Sequence, residues 1–267
     1  MDDLEKSVVE SLDGAANPRL YPYLPYILQD VWELGTDPGI VFELVQQHIQ
    51  ITPLKVLDLG CGKGAVSIRL AEALDCSVLG IDGLPEFVSD AQKYASKQNV
   101  TDKCRFETGD ARIKVLDLKD FDLAILGAVG QLFGDIHQTL TIVGRTIKRD
   151  GYIILDDGWI PNESSTEYNR CLRKSEFYRQ IKTAGFEIVE ERGFDQGFID
   201  EANRSIFEAI KKRIDELIQR EPVKRTIFEH YLEVQKHENQ MMATEVICAL
   251  WLLKKMDEPN LTGFLKE

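Results

Sequence analysis

Cysteine is sparse in this chain of 267 residues. Cys61, Cys76, Cys104, Cys171 and Cys248 stand far apart, odd in number and without a C-x-x-C pair. That excludes a disulfide framework and a zinc site of the usual spacing, and it predicts reduced, mostly buried thiols in a cytoplasmic protein. Long apolar runs are also missing: no stretch approaches the roughly 18 consecutive apolar residues of a membrane span, and the opening MDDLEKSVVE lacks the apolar segment of a signal peptide. Positive charge is short, with 32 Lys and Arg against 45 Asp and Glu, a net charge of −13. A surface of that sign with no basic block repels phosphate backbones, so neither nucleic acid nor a membrane is an expected partner. No internal repeat or low-complexity tract interrupts the chain, and its length allows one domain with an elaboration.

The chain is organised around residues 54 to 74, LKVLDLGCGKGAVSIRLAEAL. Leu54 to Leu59 is a short apolar run without helical period, which reads as a buried strand. Gly60, Gly62 and Gly64 allow a tight turn and a close approach of backbone to a ligand. From Ala65 the apolar spacing becomes helical, with Val66, Leu70 and Ala73 on one side. Strand, glycine loop and helix in that order make a nucleotide-type site, with backbone N–H groups aimed at the ligand. Asp58 stands two residues before the first glycine, at the carboxyl end of the strand, where its charge can face a cationic ligand group. Asp82 ends the second apolar run, SVLGID, where an acid can accept from both ribose hydroxyls.

The spelling D-x-G-x-G-x-G at 58 to 64 resembles the first motif of class I methyltransferases that use S-adenosylmethionine, and the resemblance covers about the central half of the chain. It implies S-adenosylmethionine as cofactor, methyl transfer to a small-molecule acceptor by in-line displacement, and a cofactor site made by Asp58, Gly60, Cys61, Gly62, Asp82, Gly83, Asp110, Ala111 and Gly127. Asp110, at the end of the third strand CRFETGD, would accept from the adenine amino group, with the N–H of Ala111 meeting a ring nitrogen. Gly127, after the fourth strand, would stand where the reacting methyl group lies. Gly60, Gly62 and Ala65 also satisfy G-x-G-x-x-A, so an NAD(P)-linked oxidoreductase is the competing enzyme, and a non-catalytic protein that binds S-adenosylmethionine is the third reading.

Strands and helices alternate through the rest of the chain, which predicts an α/β fold with a doubly wound, mostly parallel sheet. The resemblance extends this to seven strands with an antiparallel last one, ATEVICALWLLKK. Residues 1–50 form an N-terminal helical cap carrying Tyr21, Tyr23, Tyr26 and Trp32, expected mainly to pack against the sheet. Residues 51–194 are the cofactor-binding core, including a helix over roughly 163 to 184. Residues 195–240 form a helical insertion that covers the substrate site; a contact in a homodimer is its other use. Residues 241–267 are the last strand and a tail. The chemistry of attack is less legible than the cofactor site, because transfer of an activated methyl group needs a base only if the acceptor arrives protonated. His137, near the helix after the fourth strand, is the candidate base. Asp156 and Asp157 form an adjacent pair without a visible third ligand, so no metal is expected.

Overall fold

The computed structural model describes residues 3–13, 17–194 and 196–256; the tail, 257–267, lies outside them. In chain order the elements are α1 (Asp3–Ser11), α2 (Leu24–Ile27), α3 (Pro38–His48), β1 (Leu54–Leu59), α4 (Ala65–Ala73), β2 (Cys76–Asp82), α5 (Pro85–Lys97), β3 (Cys104–Thr108) and α6 (Ala111–Lys114). They continue with β4 (Phe121–Leu126), α7 (Ile136–Val143), β5 (Ile147–Ile160), β6 (Leu172–Arg173), α8 (Lys174–Thr183), β7 (Phe186–Gly193), α9 (Gln196–Arg220), α10 (Arg225–Thr244) and β8 (Ile247–Lys255).

The main sheet runs β3-β2-β1-β4-β5-β8-β7, with the two-residue β6 paired to β5 off this path. β1 to β5 pair in parallel, while β8 is antiparallel to both β5 and β7. This is the predicted class I architecture, a seven-strand path with a reversed last strand. Order reverses at β1, whose neighbours are β2 and β4, and the crevice beyond the carboxyl ends of these strands is where such sheets bind ligands. β4 is buried at every position and β1 at all but Lys55, as strands covered on both faces must be. One face packs Val56, Leu123, Ile125 and Leu252 under α3 and α4; the other packs Leu57, Ala124, Ile153 and Trp251 against α7 and α8.

A third apolar cluster was not foreseen. Leu20, Leu24, Ile27 and Leu28 from the N-terminal segment pack with Ile210, Ile214 and Leu217 of α9 and with Phe228 and Tyr231 of α10, and the cluster reaches the core at Leu84 and Phe87. Tyr23 meets the Phe228 ring edge-on at 5.1 Å. Its hydroxyl donates to Glu221 at 3.0 Å, while Tyr26 bonds Glu216. These tyrosines therefore pack on α9 and α10 rather than on the sheet; Trp32 instead meets the Tyr94 ring of α5 edge-on.

One local reading differs from expectation. The helix placed over 163 to 184 begins only at Lys174. Before it, the Arg173 guanidinium donates to the carbonyls of Pro161, Ser164 and Thr166 at 2.8–3.1 Å. This ties a Ser/Thr/Asn-rich stretch into a loop, the conformation such residues favour. At α3, by contrast, sequence and structure agree in detail. Asp37 caps it by accepting from the N–H groups of Gly39 and Ile40 at 2.7 and 2.9 Å, with Pro38 at the first helical position.

Candidate active site

The glycine loop leaves β1 with Gly60 and Gly62 at φ +73° and +52°, a region side chains rarely enter. At Gly60 space enforces the same choice, because a Cβ would stand 2.5 Å from Val129 Cγ1. The N–H groups of Gly60 and Cys61 donate to the Ile81 carbonyl at 2.8 and 3.1 Å, fixing the loop to the end of β2. Asp82 completes the turn. One carboxylate oxygen accepts from Gly62 N–H at 2.9 Å and the other from Leu84 N–H at 2.8 Å. Burial pushes its pKa up to about 6 against the pull of these N–H groups.

Behind the loop, Asp58 is 3% exposed and accepts from the Ser67 hydroxyl at 2.6 Å. Burial raises its pKa to about 6; the Ser67 bond opposes the shift and the Asp82 charge adds to it. Lys63, within the loop, is buried at 2% exposure. Its ammonium donates to the carbonyls of Leu28 and Val31 at 2.6 and 2.7 Å, joining the loop to the N-terminal segment. Lys63→Met is expected to cost about 2–4 kcal/mol, because two buried carbonyls lose a charged donor. Denaturant midpoints at constant slope measure this, and an unshifted midpoint would show that water replaces the ammonium.

Two cavities lie here, the first against the loop and the second sharing part of the first one's lining. The first is a slot lined by Gly60, Gly62, Asp82, Gly83, Asp110 and Ala111, reaching Gly127 at the end of β4. Its outer wall is α1, through Leu4, Ser7, Val8 and Ser11; a Cβ on Gly83 would lie 2.5 Å from Val8. The slot is narrow, with about 90 Å³ free beneath α1.

Seven of the nine cofactor-site residues expected from the sequence meet at this slot. Asp58 and Cys61 are not among its lining; both are buried behind it, Cys61 with its thiol toward the Gly62 carbonyl. Asp110 lines the slot, but its carboxylate caps α6 and is gripped by the Arg112 guanidinium at 2.7 and 2.9 Å, which holds its pKa below the usual carboxylate range. His137 is exposed on the first turn of α7 and lines neither cavity.

A family model described as "Methyltransferase domain" matches residues 52–221. The chain belongs to the methyltransferase-domain family. Among curated proteins it is similar to a probable cobalt-precorrin-6B C(15)-methyltransferase (decarboxylating) of Methanothermobacter thermautotrophicus, 29% identical over 53% of this chain and 69% of that protein. It is also similar to a ubiquinone biosynthesis O-methyltransferase of Rickettsia akari, 26% identical over 57% of this chain and 67% of that one. Among solved structures, a SAM-dependent methyltransferase from Geobacter sulfurreducens in complex with S-adenosyl-L-homocysteine superposes with a TM-score of 0.72 at 18% identity, covering 88% of this chain and 98% of that chain.

The second cavity of this methyltransferase is larger, about 780 Å³, and shares Leu34, Ala128, Val129 and Leu132 with the slot. Its far walls are α9 and α10, through Ile206, Ile210, Gln235 and Met242, and its floor includes Asp156 and Asp157 of β5. A polar network closes the rim. Arg170 donates to Asp13 at 2.8 Å and pairs with Glu238 at 3.0 Å, and Glu238 also accepts from the Tyr168 hydroxyl at 2.7 Å. The Leu12 carbonyl, just past α1, accepts from Tyr231 and Gln235 of α10 at 3.0 and 3.3 Å. No local pattern marks this partnership, which spans some 220 residues. Ala128, at the junction of the two cavities, holds a left-handed φ of +54°, a strained state for a residue with a side chain and one that gathers at functional sites.

Proposed function

We propose that this methyltransferase holds S-adenosylmethionine in the slot and methylates a small organic molecule seated in the larger cavity. The observation that carries the reading is the junction of the two spaces at Gly127–Val129, where side chains are small and the slot opens toward the cavity. The slot also suits a nucleoside on chemical grounds. Its glycines form a cradle that Cβ atoms would fill, and each Asp82 oxygen accepts one backbone N–H and keeps capacity for a ribose hydroxyl. The residues that would hold the cofactor are Asp82 at the ribose, Gly60 and Gly62 with their backbone alongside it, and Asp110 with Ala111 at the adenine. When bound, S-adenosylmethionine supplies a methyl group activated by its sulfonium charge. The protein's own part is to position the acceptor, exclude water and keep the approach at Gly127 clear, so orientation carries much of the rate. The C- and O-methylation named in the two curated relatives supports a small organic acceptor.

We place the protein in the cytoplasm, supported by five free cysteines; among the described residues no helix is long and apolar enough to cross a membrane. Titration calorimetry with S-adenosylhomocysteine and with NADH tests the cofactor reading, and tighter binding of NADH would overturn it. Asp82→Ala is expected to weaken S-adenosylhomocysteine by about 1.5–3 kcal/mol, roughly 10- to 150-fold, as for other hydrogen bonds to a charged group. Wild-type affinity in that variant would remove Asp82 from the ribose site.

A further inference from the structure

Three residues of the N-terminal segment cross the carboxyl ends of the central strands. Leu34 Cδ1 lies 3.2 Å from where a Cβ on Gly62 would stand, just past β1. Gly35 comes so near Ala128, just past β4, that a Cβ on Gly35 would lie 2.8 Å from the Ala128 Cβ. Its φ of +122° is a second reason for glycine at this position. Thr36 is 5% exposed. Its Oγ1 lies 2.8 Å from where a Cβ on Gly127 would stand, and it donates to Asp156 of β5 at 2.5 Å. Leu126 pairs in register with Leu155, so Asp156 is level with Gly127. Residues 34–36 thus form a strap laid over β1, β4 and β5 in turn.

The strap is fixed at both ends. Before it, the Val31 carbonyl accepts from the Lys63 ammonium of the glycine loop at 2.7 Å, and Trp32 rests on the Tyr94 ring. After it, Asp37 caps α3, whose Val41 and Leu44 are fully buried in the core. A segment tied to the loop, to β5 and to a core helix has little freedom to give way. Leu34 is the strap side chain that lines both the slot and the larger cavity. It is half-buried against the third apolar cluster, and Ala128, the partner of Gly35, lines both spaces with it.

We infer that Leu34 is a specificity-determining residue: it bounds the opening between slot and cavity and limits the size of the group the enzyme can transfer, with Thr36 positioning it. This rests on the reading that places S-adenosylmethionine in the slot and the acceptor in the larger cavity. In-line displacement sets the transferred carbon between sulfur and acceptor, so the group carried on sulfur projects into that opening. Methyl is the smallest such group. Each further methylene has to find room against Leu34 and Ala128, in packing that is held from three sides.

The test is calorimetric binding of S-adenosylhomocysteine, S-adenosylmethionine and its S-ethyl and S-propyl analogues to the full chain. The wild type should bind the propyl form about tenfold or more weakly than the methyl form, the lower end of what one methylene is worth in a confined apolar site. Leu34→Ala should cut that ratio by about fivefold or more, since it vacates room for the added carbons. Ala128→Gly removes a Cβ from the same opening and suits the left-handed φ of +54°; it should lower the ratio too, and it decides the matter if the Leu34 variant does not fold. Thr36→Val should also lower the ratio, whereas Thr36→Ser, which keeps the hydroxyl, should hold it at the wild-type value. A merely structural Thr36 would shift Tm and leave the ratio alone. Equal binding of the methyl and propyl forms by the wild type overturns the inference. So does a ratio unchanged in both Leu34→Ala and Ala128→Gly while S-adenosylhomocysteine still binds. Failure of the wild type to bind S-adenosylhomocysteine overturns the cofactor reading itself, and this inference with it.

Discussion

Replacing residues 198–238 with a short Gly-Ser linker is expected to abolish methyl transfer and to release the N-terminal segment from the body of the protein. α9 and α10 supply Ile210, Ile214, Leu217, Phe228 and Tyr231 to the cluster that buries Leu20, Leu24, Ile27 and Leu28. At about 1.5–3 kcal/mol for each buried large apolar side chain, losing five partners removes on the order of 10 kcal/mol of packing. The Leu12 carbonyl loses both donors at the same time, so α1 no longer has its anchor over the slot. Limited proteolysis should then cut the excised protein within residues 17–50 while sparing the wild type, and turnover should fall below detection. A variant with a protected N-terminal segment and full activity would show that α9 and α10 only decorate the fold.

Lowering the pH from 7.5 to about 5 is expected to stabilise the ligand-free protein. Asp58, Asp82, Asp156 and Asp157 all have their pKa raised by burial, to about 6, 6, 7 and 6, against about 3.9 in an unfolded chain. Between those values the folded state binds more protons than the unfolded one, so stability rises as pH falls through the window and is lost as pH rises through 6 to 7. Each pKa unit is worth about 1.4 kcal/mol. Three of the four groups are only half-buried, so a net gain of about 2–4 kcal/mol is expected, or roughly 5–10 °C in Tm for a domain of this size. Glu107, Asp110 and Glu190 have lowered pKa values through their ion pairs, and their contribution is lost only below about pH 4.5, which sets the acid limb. Calorimetric scans from pH 4 to 8 measure the profile, and Asp58→Asn should flatten its neutral side. A Tm that is level or falling from pH 7.5 to 5 would show that water reaches these carboxylates.

The glycine loop and its acids were legible in the sequence because each of their determinants is local. A strand, three glycines and a helix follow one another within 21 residues, Asp82 ends a short apolar run, and Asp110 ends the short strand segment CRFETGD. What the sequence hid depends on contacts between distant segments. Lys63 is indistinguishable from a surface lysine until Leu28 and Val31 turn their carbonyls toward it. Thr36 reads as part of a helix start, and only the fold sets its hydroxyl on Asp156, 120 residues away. His137 drew attention by closeness in sequence to Gly127, yet α7 carries it to the surface. The N-terminal tyrosines advertised burial correctly but not their partners, because amphipathic pattern shows that a face is covered and not what covers it.

The strand order also bears on how the protein is made. β8 lies between β5 and β7 in the sheet yet follows both in the chain, separated from Gly193 by the whole of α9 and α10. A ribosome adding about 5–20 residues per second takes roughly 3–10 s to cover that gap. Throughout it, β7 has no partner in the sheet, and β5 presents a long apolar edge of the kind that recruits strands from other chains. A nascent chain paused in this interval is therefore a natural client for a chaperone that binds exposed strands, and slow codons between residues 194 and 246 would raise aggregation without altering the finished fold.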